Sequence, residues 1–194
     1  MGSPRAPDFS RFIARLSEEL AARQLPFMLI GGQAVLLHGR PRLTEDIDVT
    51  LGVDPSGLPR VREVCDALDL QPLPREIETF VRDTFVLPAR QAETGIRVDF
   101  VFSTTPYERQ AIDRAVRVML GGGSVPFATA EDLVIHKLFA GRARDWEDAL
   151  SVVRRKGHEL DWAYLDHWAR EFAGVPGRED MPQRVARLRA EGRS

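Results

Sequence analysis

The sequence is poor in cysteine and in lysine. Cys65 is the only cysteine among 194 residues, which excludes an internal disulfide framework and a cysteine-based zinc site. Lysine occurs only at Lys137 and Lys156, so arginine carries almost all of the positive charge. No apolar run approaches the ~20 residues of a membrane-spanning helix. These absences predict a protein without membrane spans, and they make each lysine a position that needs a physical reason.

The remaining composition is that of an ordinary folded protein. With 43% hydrophobic and 29% charged residues, the chain is neither disordered nor collagen-like, and its length predicts one domain, or one domain with an appendage. Lysine and arginine total 27 against 29 acidic residues, so overall attraction cannot account for any binding of nucleic acid. The amino-terminal residues lack the apolar core of a signal peptide, which favours a cytoplasmic location.

The hydrophobic pattern changes in character near residue 128. Before it, the periodicity predicts an α+β arrangement, with helices over 8–24, 32–38, 57–69 and 106–115 and strands over 27–30, 46–53, 78–88 and 96–102. A glycine run at 121–123 predicts a hairpin turn. After it, every periodic segment is helical, and the tail from Pro182 is predicted to be a short, exposed helix that frays. We therefore expect an α+β core over 1–127 and a C-terminal helical region over 128–194.

Two aspartates lie on one predicted strand. Asp46 and Asp48 are separated by one residue, so their side chains share a face and repel each other unless a cation lies between them. Asp99 interrupts another apolar strand and is the natural third carboxylate. Carboxylates suit Mg²⁺, and three of them can hold two ions. The alternative is an exposed strand on which Asp99 pairs with Arg97 or with another arginine.

A glycine pair precedes these acids. The first apolar strand ends at Gly31 and Gly32 and a helix follows, which allows backbone amides to approach a phosphate. The order of strand, glycine pair, helix, D-x-D strand and later aspartate resembles the nucleotidyltransferase fold related to DNA polymerase β. The resemblance implies a small mixed β-sheet flanked by helices. It also implies that the glycines hold a nucleoside triphosphate and that the three acids bind two Mg²⁺ ions.

A second resemblance concerns the helical half of the chain. The segment ATAEDLVIHKLFAGRARDWEDA (128–149) is similar to the corresponding part of the AbiEii-type nucleotidyltransferases. That resemblance implies that Lys137 and Asp145 belong to the active site, which the helical region would complete. The residues agree, because Lys137 leaves the inward side of an apolar helix and must either extend its ammonium to solvent or meet a buried anion, for which a triphosphate or Asp145 would serve. The alternative is a structural pair with Asp132 or Asp148.

The sequence thus predicts a Mg²⁺-dependent enzyme that moves a nucleotidyl group from a nucleoside triphosphate to an acceptor hydroxyl. Its expected catalytic residues are Asp46, Asp48, Asp99, Lys137 and Asp145, and its expected nucleotide-binding residues are Gly31, Gly32, Arg42, Thr44, Lys137 and Arg142. For Arg42 a solvated loop position is the alternative, and for Arg142 an ion pair with the following helix.

The acceptor is less constrained than the chemistry. The AbiEii resemblance implies a toxin-like enzyme that acts on tRNA or another RNA and has a cognate antitoxin protein as a possible partner. A local patch formed by arginines 142, 144, 154 and 155 and those of the tail would then bind the RNA. The alternatives are transfer to a small molecule such as an aminoglycoside or to a protein hydroxyl, and a nucleotide-binding module without turnover.

Overall fold

The computed structural model describes residues 8–44 and 46–192, so most of the amino-terminal segment on which the predicted location rested lies outside the described residues. Contacts divide the chain into two compact units. Unit 1 comprises Met1–Leu29 and Glu45–Phe127, and unit 2 comprises Ile30–Thr44 and Ala128–Ser194. The chain enters unit 2 for the second time at Ala128, which is also where the sequence changes to a helical pattern. Among the described residues, no helix combines the length and the apolar character needed to cross a membrane.

Unit 1 is built on one mixed sheet. Its strands are β1 (Phe27–Ile30), β2 (Asp46–Leu51), β3 (Leu70–Pro72), β4 (Val86–Gln91), β5 (Arg97–Phe102), β6 (Val116–Leu120) and β7 (Gly123–Phe127). They lie in the order β3-β4-β5-β2-β1-β7-β6. The pairs β1/β7 and β2/β5 are parallel, whereas β3/β4, β4/β5 and β6/β7 are antiparallel. The sheet is accompanied by helices α1 (Phe9–Ala22), α3 (Leu58–Ala67), α4 (Ile77–Thr84) and α5 (Pro106–Asp113).

The core of unit 1 lies on one face of the central strands. Ile47, Val49 and Leu51 of β2 alternate with more polar residues and are fully buried. On β5 the same alternation buries Val98 and Phe100. Because side chains alternate across a strand, the remaining residues of β2 and β5 share the opposite face of the sheet. The predicted acids lie on that opposite face.

One predicted strand is wrong. Residues 78–88 are not a strand, because helix α4 covers Ile77–Thr84 and the strand β4 begins only at Val86. The apolar residues Ile77, Phe80 and Val81 recur at helical spacing, although their β-branched and aromatic types favour a strand. Phe85 adopts a left-handed backbone conformation, with φ of 58°, and ends the helix. The short strand β3 was not predicted at all.

Unit 2 is helical. It contains α2 (Gly31–His38), α6 (Ala130–Ala140), α7 (Ala143–Lys156), α8 (Trp162–Phe172) and α9 (Met181–Glu191). The prediction of an exposed, fraying tail is wrong, because Met181, Val185 and Leu188 of α9 are completely buried. These three residues form one apolar stripe at spacings of four and three, which could have been read as a packing face. The last helix is thus part of the core of unit 2.

Candidate functional site

The three predicted metal ligands lie on one face of two adjacent strands of unit 1. In the parallel pair formed by β2 and β5, Asp46 is opposite Arg97 and Asp48 is opposite Asp99. The alternation of the strands turns all four side chains to the same face. Asp46 is exposed and Asp48 and Asp99 are partly buried. The D-x-D pair and the third aspartate therefore lie on one face of the sheet, on neighbouring strands.

Arg97 is a fourth member of this group, which we call the acid face (Asp46, Asp48, Arg97 and Asp99). Its Nε donates a hydrogen bond to Asp99 Oδ1, with a donor–acceptor distance of 2.9 Å. The pKa of Arg97 is raised by this hydrogen bond and by the charges of Asp99, Asp46 and Asp48, although partial burial opposes the rise. The pairing of Asp99 with Arg97, which sequence reasoning treated as an alternative to metal binding, is therefore present.

The acid face has the donor chemistry that Mg²⁺ requires. Its three carboxylates are hard oxygen ligands, and the attraction that they exert on Arg97 is the attraction that a cation would receive. Within residues 8–44 and 46–192, however, no three side chains of histidine, cysteine, aspartate or glutamate come close enough together to hold a metal ion. The three aspartates fit the ion in residue type and in strand register, but Arg97 is hydrogen-bonded to one of them, Asp99.

The glycine pair lies in unit 2, where β1 gives way directly to α2. Gly31 has a φ of 62°, a left-handed conformation that favours glycine. A Cβ on Gly32 would lie 2.3 Å from Thr44 Oγ1 and 2.8 Å from Thr44 Cβ, so only glycine fits against this threonine. Three of the predicted nucleotide-binding residues, Gly31, Gly32 and Thr44, are thus packed together at the amino end of α2.

Lys137 is buried in the middle of a linear array of charges in unit 2. Its Nζ lies 2.9 Å from Asp145 Oδ1 and 2.8 Å from Asp148 Oδ2. Arg42 donates two hydrogen bonds to Asp148, each over 3.0 Å. Arg142 donates from Nε to Asp145 Oδ2 over 2.6 Å. The resulting ion-pair chain runs Arg42–Asp148–Lys137–Asp145–Arg142.

The ion-pair chain is protected in its centre and open at its ends. The side chains of Lys137, Asp145 and Asp148 are each less than a tenth exposed, whereas that of Arg142 is 77% exposed. Burial by itself raises the pKa of both carboxyls. The hydrogen bonds and charges of the neighbouring cations outweigh this effect, so the pKa of Asp145 and the pKa of Asp148 are both lowered. The three cations and two carboxylates of the ion-pair chain sum to a net charge of +1.

Of the five residues in the ion-pair chain, the sequence had predicted four as functional. Lys137 meets Asp145, and Arg42 and Arg142 lie at the two ends. Asp148 was considered only as a structural partner for Lys137, yet it bridges that lysine to Arg42. Its position three residues after Asp145 on α7 was the available signal, because residues at this spacing share one face of a helix.

Two concave surfaces of unit 2 are lined by arginine. A groove of about 1010 Å³ lies between residues 39–42 and α7 and is lined by Arg40, Arg42, Arg154 and Arg155 together with Glu147, Asp148 and Ser151. Its wall is fixed by hydrogen bonds from Arg155 to Gly39 O and from Arg40 N to Ser151 Oγ. We call this surface the arginine groove. A separate cleft of about 390 Å³ is lined by Arg142, Arg184, Arg187 and Trp146, among others.

Structures of two other proteins share the fold of this chain. One is the solution structure of the antibiotic-resistance factor ANT(2'')-Ia, with 13% identity, a TM-score of 0.52 and coverage of 94% of this chain and 89% of that one. The other is an antigenic nucleotidyltransferase-like protein from Paracoccidioides brasiliensis, with 16% identity, a TM-score of 0.53 and coverage of 95% of both chains. At these identities the similarity shows a nucleotidyltransferase fold and nothing finer.

The family assignment comes from the sequence as a whole. A search of curated proteins found no match. The family described as "Nucleotidyl transferase AbiEii toxin, Type IV TA system" matches residues 11–191, which is nearly the full length of the chain. Both motif blocks, the acid face and the ion-pair chain, lie inside this match. The chain is a nucleotidyltransferase and belongs to the AbiEii toxin family.

Proposed function

We propose that this nucleotidyltransferase is Mg²⁺-dependent and transfers a nucleoside monophosphate from a nucleoside triphosphate to a hydroxyl of tRNA or another RNA. The observation that carries the metal assignment is the register of β2 and β5, which sets Asp48 opposite Asp99 with Asp46 on the same face. Asp46, Asp48 and Asp99 hold the ions in this proposal. Bound Mg²⁺ supplies Lewis-acid stabilisation of the charge that develops on the phosphoryl oxygens and the leaving group.

Residues of unit 2 are proposed to bind phosphate. The amides at the start of α2, next to Gly31 and Gly32, are donors at the positive end of a helix. Thr44, in contact distance of Gly32, adds a hydroxyl beside them. In the ion-pair chain, Asp145 and Asp148 orient the ammonium of Lys137 and the guanidinium groups of Arg42 and Arg142. Because this region keeps a net positive charge, its cations are suited to an anionic ligand.

The arginine groove supports RNA as the acceptor. Four arginines line it against two acidic residues, which leaves an excess of two positive charges. Arginine makes paired hydrogen bonds to phosphate oxygens, so a groove of this composition fits a phosphodiester backbone. Local concentration of arginine provides what the net charge of −2 for the whole chain does not.

Transfer of labelled nucleotide tests the proposed function directly. The purified chain is incubated with Mg²⁺, total RNA and each of the four triphosphates in turn, and the RNA, the protein and any added aminoglycoside are examined for label by mass spectrometry. Label on an RNA end supports the proposal. Label only on a small molecule or on protein would move the acceptor to another class, and triphosphate binding without any product would indicate a module that has lost turnover.

Neutralising the outer part of the arginine groove should weaken RNA binding. The side chains of Arg40 and Arg154 are exposed and, unlike those of Arg42 and Arg155, do not fasten the groove wall. Arg40 contributes only its backbone N–H, which glutamine keeps, so R40Q/R154Q should leave the fold intact. Loss of two phosphate contacts is expected to reduce the slope of log affinity against log salt by about 1–2. Filter binding of labelled RNA across a salt series measures this slope.

The matched control for the groove is R170Q, which removes one exposed arginine from α8, outside the groove. Its RNA affinity and salt slope should equal those of the unsubstituted chain. If R40Q/R154Q binds RNA with an unchanged salt slope, the arginine groove is not the RNA-binding surface. Transfer that does not vary with salt would favour a small acceptor.

A further inference from the structure

We infer that Arg97 is a built-in counter-cation of the acid face, and that a divalent ion has to displace its guanidinium from Asp99 in order to bind. This inference rests on the proposed role of Asp46, Asp48 and Asp99 as metal ligands. Its direct basis is the 2.9 Å hydrogen bond from Arg97 Nε to Asp99 Oδ1, together with the position of Arg97 opposite Asp46 in the strand register. Arg97 is therefore a positioning residue for the metal site.

The placement of Arg97 follows from the strand geometry. It lies two residues before Asp99 on β5, so both side chains project from the same face. The facing positions on β2 are Asp46 and Asp48. One guanidinium thus shares a surface with three carboxylates and is hydrogen-bonded to one of them. The local charge of the four side chains is −2 with Arg97 present and −3 without it.

A counter-cation at this place has opposite effects on two states of the protein. Without metal, it offsets the mutual repulsion of the carboxylates and stabilises the fold. With metal, its charge repels the incoming ion and its hydrogen bond competes for Asp99. Arginine does not lose its proton in proteins, so this competition can be relieved only by movement of the side chain. The side chain of Arg97 is 37% exposed, against 19% for Asp99, and therefore has solvent into which it can turn.

Binding of Mn²⁺, a spectroscopically visible substitute for Mg²⁺, tests the inference without reference to turnover. Electron paramagnetic resonance measures free Mn²⁺ in titrations of the full chain and of R97Q and R97K. We expect R97Q to bind Mn²⁺ about tenfold more tightly, since one like charge is removed from the immediate surroundings of the ion. R97K keeps the charge and should remain within about threefold of the unsubstituted chain.

Thermal unfolding provides a second measurement. Metal-free R97Q should melt below the unsubstituted protein, and Mn²⁺ should raise its melting temperature by a larger increment, because tighter binding gives greater stabilisation. If R97Q does not fold, R97M, which keeps an apolar stem, takes its place in both measurements with the same expected result. Circular dichroism confirms that the variant compared is folded.

The outcomes separate this inference from the proposed function on which it rests. Unchanged or weaker Mn²⁺ affinity in the neutral Arg97 variant overturns the counter-cation role. If D48N has at the same time lost Mn²⁺ binding, the metal site itself still stands. If neither D46N nor D48N alters Mn²⁺ binding, the acids are not the metal ligands, and the proposed metal dependence and the role of Arg97 both fail.

Discussion

Replacing Asp46 or Asp48 by asparagine should slow nucleotidyl transfer by about a thousandfold or more, because in the proposed mechanism several kcal/mol of transition-state stabilisation depend on metal ions held by these carboxylates. Asparagine keeps the shape of the side chain and removes its charge. The loss of rate therefore measures the loss of a charged metal ligand and not a change in packing. The rate of label transfer from the preferred triphosphate, measured at saturating Mg²⁺, gives the size of the loss. The same variants should lose most of their Mn²⁺ affinity.

The fold of these variants should be unaffected. Asp46 is exposed and Asp48 is partly buried on the surface of the sheet opposite its core, so the free energy of unfolding should change by less than about 1 kcal/mol. D66N, an exposed carboxylate of α3 in the same unit, serves as the matched control and should transfer nucleotide at the unsubstituted rate. Full activity in D46N or D48N would remove the acid face from the mechanism.

The acid face was predictable because strand geometry is simple. A period of two sets Asp46 and Asp48 on the same face of one strand, and Asp99 joined them as the carboxylate that interrupts another apolar strand. The register that sets Asp48 opposite Asp99 is a property of the pairing between β2 and β5, which one sequence does not reveal. For the same reason, the choice of Arg97 over other arginines as the partner of Asp99 required the structure.

Helical regions were harder to interpret where residue type and spacing disagreed. The segment 77–84 is rich in residues that favour strands, yet its apolar positions recur at helical spacing, and packing on the sheet decided in favour of the helix α4. In α9 the many arginines suggested an exposed tail, although Met181, Val185 and Leu188 form a buried stripe. In both cases spacing was the better guide than composition.

Lys137 illustrates how an unusual residue can be found from composition while its environment cannot. The scarcity of lysine drew attention to this position, and the inward side of α6 predicted an anionic partner. That two carboxylates would hold it depends on the packing of α6 against α7, which brings Asp145 and Asp148 to the same ammonium. Lys137 is therefore both a structural ion-pair partner and the lysine that the family resemblance assigns to the active site.

Removal of this lysine should destabilise unit 2 strongly. K137M leaves two buried carboxylates without their shared cation, and loss of one partner from a buried ion pair costs about 3–5 kcal/mol. All three tryptophans of the chain lie in unit 2, so urea unfolding followed by tryptophan fluorescence reports the stability of that unit. The control is K156M, whose partly exposed pair with Glu159 should contribute less than about 1 kcal/mol. Equal stability of the two variants would contradict the structure of the ion-pair chain.

The stability deficit of K137M should shrink as the pH is lowered. In the unsubstituted protein, the pKa values of Asp145 and Asp148 lie below the ordinary value of 3.8, so their stabilising effect is fully present above that value and is lost as the pH falls through the folded-state pKa values. In K137M a cation that lowers these pKa values is gone while burial, which raises them, remains. The carboxyls of the variant therefore take up protons at higher pH, and the gap between the two urea curves should be widest near pH 7 and narrower near pH 4.

Stability and catalysis can then be separated at this residue. K137M/D148N removes one of the two carboxylates that have lost Lys137, while the asparagine Oδ1 can still accept a hydrogen bond from Arg42, so part of the lost stability should return. If Lys137 also contacts a phosphate, nucleotidyl transfer in this double variant should stay low, because D148N does not restore the positive charge that faced the phosphate. If transfer recovers together with stability, the lysine acts only by holding Asp145 and Asp148 in place, and the positive charge that the phosphates need is supplied by Arg42 and Arg142 at the ends of the ion-pair chain.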